Sequence, residues 1–227
     1  MALESRPQYL DNLLLGTPDL AFNAVHQELK RLGEKVQNML AAGMPAVLHG
    51  DREALRRAKK MDKAIDALHG HIVHYLGEIS KQNLTREETA ELLHLLETAN
   101  SLENIGDLIE TDLINLGKQR LKQEVHISPH TRQMLERIQR EVTQLLVMAV
   151  EAVTENDAEK ALQVIGMKGA VNHLLTEASM HEAQRLIASA PDRVRTYGLE
   201  IDILEKLRRI YYFTKRIAKA VLVDDRG

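Results

Sequence analysis

Two pairs of acidic residues stand four positions apart in this chain: Asp62 and Asp66, in Met61-Asp-Lys-Ala-Ile-Asp-Ala-Leu68, and Glu103 and Asp107, in Leu102-Glu-Asn-Ile-Gly-Asp-Leu108. On a helix, side chains four apart leave the same face. Like charges there repel, so each pair is costly unless a cation relieves it. Ile65 and Ile105 lie between the acidic positions, which puts both pairs beside an apolar seam. Glu110 extends the second row by a turn, and His69 lies on the Asp62 and Asp66 face. If the two helices pack together, four carboxylates converge. Such an oxygen-rich cluster suits hard or borderline ions such as magnesium, manganese, iron or zinc, not soft metals. The plainer reading of the same residues is a solvated acidic stripe, since 33 acidic residues produce several such pairs by chance.

The elements that would position these residues are helices. Apolar residues recur in steps of three and four at Phe22, Val25, Leu29, Leu32, Val36 and Met39, a stripe that faces one side of a helix. Thr17 before Pro18 predicts its start, and Pro45 predicts a kink or an end. Asp51 is placed to cap a second helix, seamed from Leu55 to Ile79. Thr85 and Glu88 have capping-box spacing and open a third, seamed from Leu92 to Leu116. Residues Leu121 to Ser128 lose the period and read as a linker. Ser128-Pro129 starts a fourth helix, Asp157 a fifth, and Asp192 a sixth that runs to about Val223. No stretch alternates as a strand does.

The second half repeats the first. Shifted by 106 positions, Leu29 meets Leu135, Val36 meets Val142, cap Asp51 meets Asp157, Ile65 meets Val171 and Leu68 meets Leu174. For the last helix the shift is 102, and Leu102 meets Leu204. The fold expected is all-α: a tandem repeat of two antiparallel three-helix bundles, six long helices in all, spanning 18–120 and 129–223, with 1–17 as a connecting segment. Under the same shifts Asp62 becomes Lys168, Asp66 becomes Asn172, Glu103 remains Glu205 and Asp107 becomes Arg209. A metal-competent site is therefore expected in the first copy only, with Lys168 or Arg209 pairing Glu205 in the second.

Composition removes other functions. The 227 residues carry a formal net charge of −3 and include no cysteine, no tryptophan, five tyrosines and two phenylalanines. Disulfides, thiolate sites and base-stacking platforms are absent or disfavoured, and nucleic acid is not an expected partner. The longest apolar run, Leu145 to Val150, is far short of the roughly 20 residues that span a bilayer. The opening Met1-Ala-Leu-Glu-Ser-Arg lacks the apolar core of a signal peptide, so a soluble, intracellular chain is expected. Glu91-Leu-Leu-His94 has the spacing of di-iron bundles but occurs once. His69, His71 and His74 read as polar surface near a helix end. Arg208, Arg209, Lys215, Arg216 and Lys219 make the last helix basic and are candidates for contact with anionic head groups or an acidic partner. There is no glycine-rich phosphate loop and no nucleophile beside a base.

The acidic segments resemble those of the PhoU family, which carries a tandem three-helix unit. The family's Asp-x-x-Ile-Asp-x-Leu is matched by Asp62, Ile65, Asp66 and Leu68. Its Leu-Glu-Arg-Ile-Gly-Asp is matched by Leu102, Glu103, Ile105, Gly106 and Asp107, with Asn104 in place of Arg. The resemblance covers roughly Leu20 to Leu222 and implies that these acids hold metal, as they do in some family members. The segment Pro7 to Ala21 and the segment Leu207 to Ile217 are similar to the PhoU-like C-terminal part of Na/Pi cotransporter family proteins. That resemblance implies a non-enzymatic accessory domain of phosphate transport, at the inner face of the cytoplasmic membrane. Its implied partners are the membrane transporter portion or a phosphate-signalling protein, and a second copy of the chain is a further candidate. The competing expectation is a metal-dependent helical-bundle enzyme, a phosphohydrolase or di-metal oxidase, with His69 or His94 as the only bases on offer.

Overall fold

A computed structural model describes residues 6–186 and 193–222. A 3-10 turn, Asn12–Gly16, leads into α1 (Pro18–His49), α2 (Arg52–Ile79) and α3 (Arg86–Asp107). A π-helical turn, Leu108–Leu113, joins α3 without a break to α4 (Ile114–Lys122). The rest is α5 (Pro129–Glu155), α6 (Ala158–Gly166), α7 (Lys168–Leu186) and α8 (Arg193–Ala220). No strand occurs among the described residues. The third long helix of the first half is thus α3, the π turn and α4 together, and the fifth is α6 and α7.

The caps form where the sequence places them. Asp51 accepts from the Ala54 N–H, Thr85 and Glu88 form a reciprocal capping box, and Ser128 and Asp157 accept from Thr131 and Lys160. Thr17 occupies the N-cap position of α1, but its side chain makes no capping bond. Pro45 does not end α1, which runs on to His49 and stops at Gly50 in the left-handed region (φ 74°). Pro45 has no N–H to donate. Met44, Ala46, Val47 and Leu48 around it are all buried, and that packing carries the helix through. The fifth helix breaks at Met167, after Gly166, whereas α2 has Lys60 at the corresponding place and is continuous. The Asp192 cap and the end at Val223 lie outside the described residues.

α1 is the central helix. Val25, Leu29, Leu32, Val36 and Met39 are completely buried, and α1 packs against α2, α3 and α5. Corresponding positions of the two halves share burial: Leu55 and Ala161, Ala58 and Val164, Ile65 and Val171, Ile72 and Ala178 are all interior. Leu174 is only partly buried, and its neighbour Leu175 takes the core position. The halves meet along α1–α5 and α3–α8. Gly33 permits the first contact, since a Cβ there would lie 2.8 Å from Val150 Cγ2. Ion pairs lace the second: Glu97–Arg216 at 3.0 Å and Asp112–Lys206 at 3.0 Å. The N-terminal segment is strapped to this frame. Buried Glu28 accepts from the backbone N–H groups of Gln8 and Tyr9 and from Arg31, and Tyr75 Oη donates to the Asp11 carbonyl at 2.7 Å.

Candidate metal centre

α2 and α3 run antiparallel, with His69 against Asn100 (2.9 Å) at one end of the acidic rows and Lys59 against Glu110 (2.5 Å) at the other. Between these contacts the helices approach closely because residue 106 is glycine. A Cβ at Gly106 would lie 3.2 Å from Ile65 Cγ2 and 3.3 Å from Asp62 Oδ1. The close approach turns two separate i,i+4 pairs into one cluster: Asp62, Asp66 and Asp107 each offer an oxygen, all within 4.8 Å of one another. Ligands on opposite sides of an ion are separated by twice the bond length, about 4–5 Å for magnesium or calcium. The spread therefore fits a single cation.

The cluster concentrates negative charge around a buried acid. Asp62 is 8% exposed, and its Oδ1 has no hydrogen-bond partner. A buried carboxylate oxygen left bare is costly. Burial, then the charge of Asp66, and then those of Glu110, Asp107 and Glu103 push its pKa up to about 7. Asp66 is raised by burial, then by Asp107 and Glu110, while His69 and a hydrogen bond with Asp62 pull it back. Glu103 is raised by burial and then by Asp107. Asp62, Asp66 and Glu103 are thus all raised by burial and by the charge of neighbouring acids. A bound cation would remove the repulsion and give Asp62 Oδ1 the partner it lacks. The donors are all oxygen, which fits magnesium, manganese or iron better than zinc.

The structure brings together Asp62, Asp66 and Asp107. Glu103 sits beside them, partly buried, outside the tight group of three oxygens. Glu110 is engaged through Oε1 by Lys59 and His69 through Nε2 by Asn100, and neither belongs to the group of three. Two contributors escape the pattern of acids: Gly106, which sets the approach, and Lys59, one turn before Asp62. Among the described residues of the second half no matching pair forms. Glu205 lies 3.4 Å from Arg208, and Arg209 reaches Asp112 (3.8 Å) instead of Glu205, while Lys168 is exposed. Arg209 is drawn across to the other half because the π turn presents Asp112 to α8.

The basic surface of α8 is largely spoken for. Arg208, Arg209 and Arg216 all make intramolecular ion pairs. Lys215 is partly buried with its ammonium 5.1 Å from the Tyr211 ring centre, and burial, then Lys168 and Lys219, lower its pKa. Glu91 binds His26 at 3.0 Å, at the wall of a cleft of about 430 Å³ that also includes Asp19, Glu87 and His94. Among the described residues no helix is long and apolar enough to cross a membrane.

Comparison with known proteins agrees with this architecture. The family model described as PhoU domain matches residues 29–111, a span that holds every residue of the acidic cluster. The chain is 24% identical over 217 residues to the putative inorganic phosphate export protein YjbB of Escherichia coli strain K12 and, equally, to that of Salmonella typhimurium. The match covers 96% of this chain but 40% of those proteins, so the chain spans well under half the length of the curated relatives it matches. In fold it is similar to PhoU from Pseudomonas aeruginosa (TM-score 0.82, 18% identity, 90% of this chain and 96% of that one). It is also similar to the phosphate transport system regulatory protein PhoU from Streptococcus pneumoniae (TM-score 0.79, 16% identity, 93% and 98%). The chain is PhoU-like in sequence over residues 29–111 and in fold over nine-tenths of its length.

Proposed function

We propose that this PhoU-like chain is a non-enzymatic accessory domain of phosphate transport, acting at the cytoplasmic face of a sodium-phosphate cotransporter and holding a divalent cation between α2 and α3. The observation that carries the transport reading is the alignment of nearly the whole chain with a minority portion of phosphate-export relatives, together with a PhoU fold. A domain that covers 40% of such proteins, with no helix long and apolar enough to cross a membrane among its described residues, supports a regulatory portion over a conduit. Its partner would be a membrane transporter portion or a phosphate-signalling protein, met through helix faces.

The metal reading rests on Asp62. Its buried carboxylate keeps one oxygen without a hydrogen-bond partner and offers an oxygen to the group it forms with Asp66 and Asp107, a cluster made tight by Gly106. The metal's role would be structural: by neutralising the acids it locks α2 to α3, and through the π turn it steadies the contact with α8. A structural role is favoured over catalysis, because the His69 imidazole has its Nε2 paired with Asn100 and the three grouped aspartates are taken up as ligands.

Phosphate efflux from cells expressing the protein in its native chain tests the transport reading. Efflux should change when the Asp66→Asn and Asp107→Asn substitutions are made together, with no change in protein level. Efflux indifferent to removal of the whole domain refutes it. Sustained hydrolysis of phosphate esters with manganese, lost in Asp107→Ala, would replace it with the enzymatic reading.

A further inference from the structure

Lys59 is the one cation paired with any of the five clustered acids among the described residues. Its Nζ lies 2.5 Å from Glu110 Oε1, with Glu110 only 19% exposed and Lys59 46% exposed. We infer that Lys59 is a tethered counter-cation of the cluster, holding Glu110 away from the position a metal would take. The inference deepens the metal reading and rests on it for the affinity it implies.

Three observations carry it. First, Glu110 belongs to the cluster electrostatically: its charge acts on both Asp62 and Asp66. Without Lys59 it would be a fifth uncompensated acid beside the other four. Second, the ion pair is not an ordinary surface contact between neighbours on one helix. It bridges α2 to the π turn, 51 positions apart in sequence, and its acid is mostly buried. Third, the pair is present where the acids are present and absent where they are absent. Under the shifts that relate the two halves, Lys59 becomes Ile165 and Glu110 becomes Tyr212, just as Asp62 and Asp107 become Lys168 and Arg209. A pair needed only to fasten two helices would have no reason to vanish with the acids.

A through-space effect and a withheld ligand predict different mutant patterns. If Lys59 acts only by its charge, removing Lys59 strengthens cation binding by the same factor that removing Glu110 weakens it. If Lys59 withholds a ligand, removing it frees Glu110 to bind, whereas removing Glu110 from the wild type takes away nothing the metal uses.

The experiment is Mn²⁺ titration of the full chain, stripped of metal, by calorimetry, for wild type, Lys59→Gln, Glu110→Gln and the double variant. The expected results are at least tenfold tighter binding in Lys59→Gln, a change below threefold in Glu110→Gln, and a double variant within threefold of wild type. Equal and opposite effects of the two single changes, or Lys59→Gln within threefold of wild type, overturn the inference. Metal-free melting temperature gives a readout independent of binding. Lys59→Gln should melt lower than wild type, and Glu110→Gln in the same chain should abolish that loss. Wild type that takes up no Mn²⁺ while this melting pattern holds refutes the metal reading and supports the counter-cation role; absence of both refutes both.

Discussion

Replacing Asp62 with asparagine removes a buried, mutually repelled charge while keeping its shape. In the metal-free protein the Asp62 carboxyl titrates at about 7 against an ordinary value of 3.8, with burial the largest cause. Between those values the folded state holds a proton that the unfolded chain has lost. Wild-type stability therefore falls as pH rises from about 4 to about 7, and the cost is fully present above 7. A displacement of three pH units corresponds to about 4 kcal/mol, and relaxation of the neighbouring acids brings the expected figure to about 2–4 kcal/mol. The asparagine amide can donate to Asp66 as the protonated acid does. Asp62→Asn should thus raise the metal-free unfolding free energy by about 2–4 kcal/mol at pH 8, and by less than about 1 kcal/mol at pH 4. Urea denaturation in the presence of a chelator, at both pH values, measures this. With Mn²⁺ added at pH 8 the order should reverse, since wild type gains ligand stabilisation that the variant cannot. A variant no more stable than wild type at pH 8, or one whose advantage is the same at pH 4, would refute the reasoning that a buried, mutually repelling carboxylate sits at position 62.

Three further substitutions probe the frame around the cluster. Gly106→Ala should leave overall stability within about 1 kcal/mol, because better helix propensity offsets the contact of its Cβ with Ile65 and Asp62; Mn²⁺ affinity should nonetheless drop severalfold in a calorimetric titration. Gly33→Ala should destabilise by about 1–3 kcal/mol in urea, since its Cβ meets Val150 at 2.8 Å, and Val150→Ala in the same chain should restore most of the loss. Glu28→Ala strips the Gln8 and Tyr9 amides and Arg31 of a completely buried acceptor. It should cost about 2–4 kcal/mol and open the segment Arg6–Gly16 to limited proteolysis, which wild type resists.

The sequence made some of this legible because its signals are local. The three-four spacing from Val25 to Met39 names core residues that are completely buried, and Asp51, Thr85, Ser128 and Asp157 cap as their positions require. The i,i+4 spacing of Asp62 with Asp66 puts them on one face wherever the helix sits. What brings Asp107 to them is not local. It depends on how closely α2 and α3 approach, which is decided by the missing Cβ at Gly106. Glu110 reads as one more acid in a row, yet its partner Lys59 lies 51 positions away and belongs to no motif. The π turn is likewise silent in Leu108-Ile-Glu-Thr-Asp-Leu113. It shows itself only in the backbone, where the Ile114 N–H donates to the Ile109 carbonyl five residues back. By turning Asp112 toward Lys206 and Arg209 it also undoes the expected Arg209–Glu205 pair. Pro45 misleads for the opposite reason: a strong local rule gives way to burial on both sides of it.

The central claim is that Asp62, Asp66 and Asp107 together hold one cation. Anomalous scattering from crystals grown with Mn²⁺ tests it directly. The account requires a single strong peak between α2 and α3, within bonding distance of an oxygen from each of these three aspartates and lost in Asp66→Asn. Crystals that show no peak there at millimolar Mn²⁺, or show one only in the cleft beside His26 and Glu91, would contradict it.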